Sequence, residues 1–110
     1  VRFLDSLAPL GVRRAVLTAS DGLVIESIGS GAPSAELLAA ELASLHRNMR
    51  RLAEGMGGGV RRFTLATEER EVLVVVVRDY CLGAVVERSG DRRAVGAELS
   101  RLASRLSEQL

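Results

Sequence analysis

A chain of 110 residues has the length of a single domain with one modest core. Its 15 cations and 14 carboxylates leave a net charge of +1, without the basic surplus that nucleic-acid binders carry. Apolar residues make up 47% and aromatics only 3%, so the core is built from Val, Leu, Ile and Ala, and an aromatic-lined ligand cavity is disfavoured.

Every cation is Arg and none is Lys. A G+C-rich genome accounts for this as composition, while bidentate recognition of carboxylates or phosphates accounts for it as chemistry. The single Cys excludes an intrachain disulfide and fits a reducing compartment. No stretch has the length of apolar sequence needed to span a bilayer, and the start of the chain lacks a signal-peptide core. A cytoplasmic location and no membrane insertion are therefore expected.

In chain order, Val1 to Leu7 reads as the end of a short helix, with Phe3, Leu4 and Leu7 at helical spacing and Pro9 and Gly11 as stops. Val12 to Thr18 reads as a strand, Ser20, Asp21 and Gly22 as a tight hairpin turn, and Leu23 to Ile28 as the returning strand. Gly29 to Pro33 is a loop. Ser34 then caps a long helix that ends in the glycines 55 and 57–59.

Leu38, Leu42, Leu45, Met49, Leu52 and Met56 form one apolar stripe on that helix. Beside it runs a smaller seam of Ala39, Ala43, His46 and Ala53. The strands Val60 to Ala66, Glu71 to Arg78 and Cys81 to Glu87 follow, the last two apolar on both faces and so in need of cover on both sides. Asp91 is placed to cap a final helix, Arg92 to Leu110, with Val95, Leu99, Leu102 and Leu106 as its stripe. Gly96 in that helix is expected to admit a close strand, with Gly83 as its counterpart.

This order predicts an α+β fold, a three-layer α-β-α sandwich around a five-stranded antiparallel sheet, in one domain over residues 1–110. The Leu/Met stripe is expected to cover the sheet, because Val72 to Val77 cannot be left wet. That would leave the Ala seam for a second copy of the helix.

Catalytic constellations are missing from the sequence. His46 has no ligand or base partner at a useful spacing, and Cys81 sits in a strand that should be buried. The run Gly55 to Gly59 leads out of a helix, whereas a phosphate loop leads into one and ends in Gly-Lys-Ser/Thr. Paired arginines at 13–14, 50–51, 61–62 and 92–93 are not joined by aromatics, and those in strands should diverge to opposite faces. Glu68, Glu69 and Glu71 belong to a turn. No catalytic, cofactor-binding or metal-binding residue is assigned.

The hairpin AVLTASDGLVIESIG, the helix AELLAAELASLHRNMRRLAEGMG, the strands VRRFTLATEEREVLVVVVRDYCLGAVVE and the closing helix together resemble the Roadblock/dynein light chain domain over residues 12–110. The resemblance implies a profilin-like layout and a non-enzymatic homodimer, in which long helices pack together and third strands pair edge to edge. It also implies a partner, a small Ras-like GTPase, as in bacterial gliding-motility regulators. The residues it points to for the dimer interface are Ala39, Ala43, His46, Arg50, Ala53, Arg61, Phe63 and Leu65. A small-ligand sensor or a purely structural dimerisation module is the alternative.

Overall fold

Strand β5 (Tyr80–Glu87) occupies the centre of the sheet, apolar on both faces and covered on both. In the computed structural model, which describes residues 2–110, the sheet runs β2 (Val24–Gly29), β1 (Arg14–Thr18), β5, β4 (Arg70–Val77), β3 (Arg62–Ala66), with every neighbouring pair antiparallel. Helix α1 (Ala35–Met56) lies on one face, across β2, β1 and β5. Helix α2 (Arg92–Gln109) and an N-terminal 3-10 helix (Phe3–Leu10) share the other. The expected α+β three-layer sandwich is present.

Alternation along β4 shows why both layers are needed. Val72, Val74 and Val76 join the cluster under α1 with Val16, Leu38, Leu42, Cys81 and Val85. Leu73, Val75 and Val77 join the cluster under α2 with Leu4, Leu7, Leu82, Val86, Val95, Leu99 and Leu102. A strand whose side chains alternate between two dry faces has no place for polar residues, hence the unbroken Val/Leu run.

Both helices start where the sequence indicates. Ser34 Oγ accepts from Leu37 N at 3.1 Å, and Asp91 Oδ1 accepts from Ala94 N at 3.0 Å. Gly57 ends α1 at φ 109°, in the left-handed region that glycine enters without strain.

Four details differ from expectation. The first helix is a 3-10 helix that runs through Pro9 to Leu10, and only Gly11 at φ 78° stops it; residue 1 lies outside the described residues. Pro9 lacks an N–H but leaves the closing bond, Gly11 N to Ala8 O at 3.1 Å, intact. The β1–β2 connection is longer than a two-residue hairpin. The register shifts between Leu17 and Thr18, Thr18 pairs with Val24, and residues 19–23 make the turn. Asp21 Oδ1 accepts from Leu23 N, and the buried Thr18 hydroxyl donates to Leu23 O at 2.7 Å. Third, Gly83 faces α1 rather than α2, and a Cβ there would overlap Leu42 Cδ1, while nothing lies within 4 Å of a Cβ on Gly96.

The fourth concerns Arg13 and Arg14, which converge on one loop instead of diverging. Arg13 precedes the strand, and its Nε donates to Ala32 O at 2.5 Å. Arg14 donates to the carbonyls of Pro33, Gly29 and Gly31 at 3.1, 2.9 and 2.9 Å. One guanidinium thus satisfies three backbone acceptors in the segment that launches α1.

Glu98 ties α2 to the first helix. Its carboxylate accepts from Arg101 Nε at 2.9 Å and from Ser6 Oγ at 2.5 Å. The Arg101 hydrogen bonds, helped by Ser6 and opposed by burial, hold its pKa at about 2 against an ordinary 4.5. A folded-state value below the unfolded one means stability that is complete above pH 4.5 and lost as pH falls towards 2. Glu98→Gln is expected to lower stability at neutral pH by about 1 to 2 kcal/mol and to cost progressively less in acid, checked by urea unfolding across that range. An equal loss at neutral pH and near the acid limit would contradict the linkage.

Candidate protein-interaction surface

A helix of 22 residues is roughly 33 Å long, while five strands span roughly 20 Å, so α1 overhangs the layer it covers. Its first half is seated: Ala35, Leu38, Ala39, Leu42, Ala43 and His46 are buried. The second half is not. Leu45 and Met49 are half-buried, and Leu52 and Met56 are 67% and 80% exposed. The apolar stripe therefore continues past the core it serves.

Beneath this overhang lies β3, which pairs with β4 on one side and has its other edge open. Neither α1 nor α2 packs closely on it. Phe63 and Leu65 pair with Val74 and Val72, which places them on the α1 side of the sheet. Phe63 is half-buried and Leu65 is 53% exposed. Between helix and strand runs an open groove of about 300 Å³, lined by Met49, Leu52, Ala53, Met56, the glycines 57–59 and Phe63 among others.

The seam expected to face a partner is placed differently. Ala39 and Ala43 are 0% and 1% exposed and His46 is 8% exposed. Their small side chains admit the chain's own β1–β2 turn: a Cβ on Gly22 would stand 3.2 Å from Ala40 Cα and 3.6 Å from Ala43 Cβ. Arg47 Nη1 locks the turn down by donating to Ser20 O at 2.8 Å. The expected division holds at Leu38 and Leu42, which cover the sheet, and fails along the rest of the helix. The Ala seam seats the hairpin, and the far half of the Leu/Met stripe is left uncovered. Of the residues singled out by sequence, Ala53, Arg61 and Phe63 line the groove, Leu65 continues its apolar floor, and Arg50 borders a neighbouring cleft with His46, Glu54, Arg61, Arg78 and Asp79. Leu52 and Met56 were missed as surface residues. The signal for them was the helix length, too great for the sheet beneath.

Burial, and then the Arg50 charge, lower the His46 pKa and favour its neutral form. Burial pushes the Cys81 thiol up to about 11, so it is protonated at neutral pH. Among the described residues no three His, Cys, Asp or Glu side chains are grouped to hold a metal, and no helix is long and apolar enough to cross a membrane.

An antiparallel sheet in order 2-1-5-4-3, with one long helix on one face and two terminal helices on the other, defines the profilin-like class of sandwich. Acanthamoeba castellanii profilin II shares it at a TM-score of 0.67, with 18% identity over 94% of this chain and 90% of that one. The model of the Roadblock/LC7 domain matches residues 5–87, and the chain belongs to that family. Two bacterial structures share the fold. The Roadblock/LC7 domain from Streptomyces avermitilis has 26% identity and a TM-score of 0.78, with 90% of this chain and 85% of that chain covered. The gliding protein MglB from Thermus thermophilus has 19% identity and a TM-score of 0.83, with 98% and 87% covered. No curated protein sequence matches the chain.

Proposed function

We propose that the chain acts as a homodimer and that the dimer is a non-enzymatic cytoplasmic platform for a small Ras-like GTPase. The observation that carries the dimer is the open β3 edge continuous with the apolar overhang of α1. Two copies related by a two-fold axis would pair β3 with β3 and lay one Leu45–Met49–Leu52–Met56 flank along the other, with Phe63 and Leu65 beneath. Arg50, Ala53 and Arg61 lie at the margin of that contact. Ala39, Ala43 and His46 support it from inside the monomer.

Surface area supports the same reading. A monomer of 11.7 kDa exposes about 5,900 Å² on average. This chain exposes 6600 Å². The excess is close to the roughly 800 Å² that each partner buries in a standard interface.

Family membership supports the GTPase as partner, and the mechanism would be differential binding. A platform that holds one switch conformation more tightly than the other shifts the GTPase towards it by that difference in affinity. Light scattering at micromolar concentration should give twice the mass of 11.7 kDa. Pull-down with a Ras-like GTPase encoded near the gene, loaded with GDP or with GTP, should show preference for one state. A stable monomer removes the platform, and equal capture in both states removes the regulation.

A further inference from the structure

The opposite face of the sheet carries a second surface, away from the α1 overhang, whose floor is the outer side of the α2 core cluster. Between α2 and the β3–β4 hairpin run two clefts of about 390 and 380 Å³, which share Arg62, Val75 and Ser100 and so form one trough. Its floor is Thr64, Leu73 and Val75, the last two half-buried. Five arginines line it, Arg61, Arg62, Arg78, Arg92 and Arg93, and not one carboxylate does. The chain as a whole is nearly balanced at 15 cations to 14 anions, so the trough is a segregated patch. Arg92 is paired with Glu71 at 2.6 Å, and the other four make no ion pair among the described residues.

We propose that this trough docks an acidic amphipathic helix from another protein, with its apolar face on Leu73 and Val75 and its carboxylates on the flanking arginines. Charge complementarity selects the acidic flanks, since an unpaired guanidinium offers a planar fork suited to a carboxylate. The floor selects the helix. Backbone groups of β3 and β4 facing each other are already hydrogen-bonded across the hairpin. A docked segment finds no backbone partners there and must satisfy its own N–H and C=O groups, as a helix does. The α2 wall is low, with Gly96, Ala97 and Ser100 along it, so a second helix can lie close. The stretch from Arg93 to Ser107 accommodates about four turns. This surface lies on the α2 side of the sheet, opposite the α1 overhang, and shares Arg61 and strand β3 with the proposed pairing.

Fluorescence anisotropy with labelled synthetic peptides tests it. The probe is an idealised amphipathic Leu/Glu helix of about fourteen residues. Its controls are the same peptide with Lys for Glu and a scrambled version. The full chain should bind the Leu/Glu peptide at least about tenfold more tightly than either control, with affinity falling as salt rises. The exposed pair Arg62→Glu and Arg93→Glu should weaken binding about tenfold or more, whereas Arg51→Glu on α1 should leave it unchanged. Circular dichroism confirms that each variant is folded. Three results overturn the proposal: no binding of the Leu/Glu peptide at about 0.1 mM, equal binding of the Lys peptide, or wild-type affinity in the double variant. Tighter binding of a single-stranded RNA at the same arginines also overturns it, in favour of a nucleic-acid surface.

Discussion

Replacing Leu52 and Met56 together by Glu is expected to convert the dimer into a folded monomer. Both side chains already face solvent in the single chain, at 67% and 80% exposure, so charging them removes nothing from the core. In the proposed dimer the same positions meet their copies across a two-fold axis. Four carboxylates would then be desolvated side by side without partners, and association should weaken by at least about a hundredfold, near 3 kcal/mol. Sedimentation velocity reads the mass directly. The wild-type melting temperature should rise with protein concentration, and that of the variant should not. An unchanged dimer mass would place the interface elsewhere. Ala43→Glu is the instructive contrast. On the sequence reading it breaks the dimer and spares the monomer, but Ala43 lies under the Gly22 turn and is 1% exposed. A carboxylate there should lift the hairpin and unfold the chain.

Gly83→Val is expected to destabilise the monomer by about 1 to 3 kcal/mol, for a reason located in one contact. Gly83 lies in the central strand directly below Leu42, and a Cβ would occupy the space of Leu42 Cδ1. Leu42 is 1% exposed and packed in the core cluster under α1. The added atoms therefore push α1 off the sheet, and the whole overhang shifts with it. Leu42→Ala alone should cost about 2 to 5 kcal/mol through the cavity it leaves. Because valine at 83 would grow into that same cavity, the double variant should be more stable than the sum of the two losses predicts. Urea unfolding of the four proteins measures the coupling, and simple additivity would show that the two residues do not share this space.

Much of this architecture was legible because period and punctuation agreed. The Val/Leu run of β4 demanded two covering layers, Ser34 and Asp91 marked helix starts, and glycine marked the end of α1. What escaped was pairwise packing. Gly83 and Gly96 are both glycines at plausible contacts, and only the relative placement of α1 and β5 shows that Gly83 meets Leu42. Periodicity locates a residue around its own helix, not which neighbour lies at that angle. The same gap hid what the Ala seam of α1 packs against. Small residues read equally well as a site for a partner helix and as a site for the chain's own turn. The arginines of the trough come from three separate segments, so no local motif could have gathered them.

The strand order also has a consequence for how the chain is made. Two neighbouring strands at the heart of the sheet are far apart in sequence: β1, at residues 14–18, pairs with β5, at residues 81–85. During synthesis the β1–β2 hairpin and its helix can form early, but the β1 edge stays bare until the final strand arrives. Such long sequence separations slow folding and leave a reactive edge exposed meanwhile. Two nascent copies side by side could each lend the other its missing half, giving an exchanged dimer with the same contacts and a different chain path.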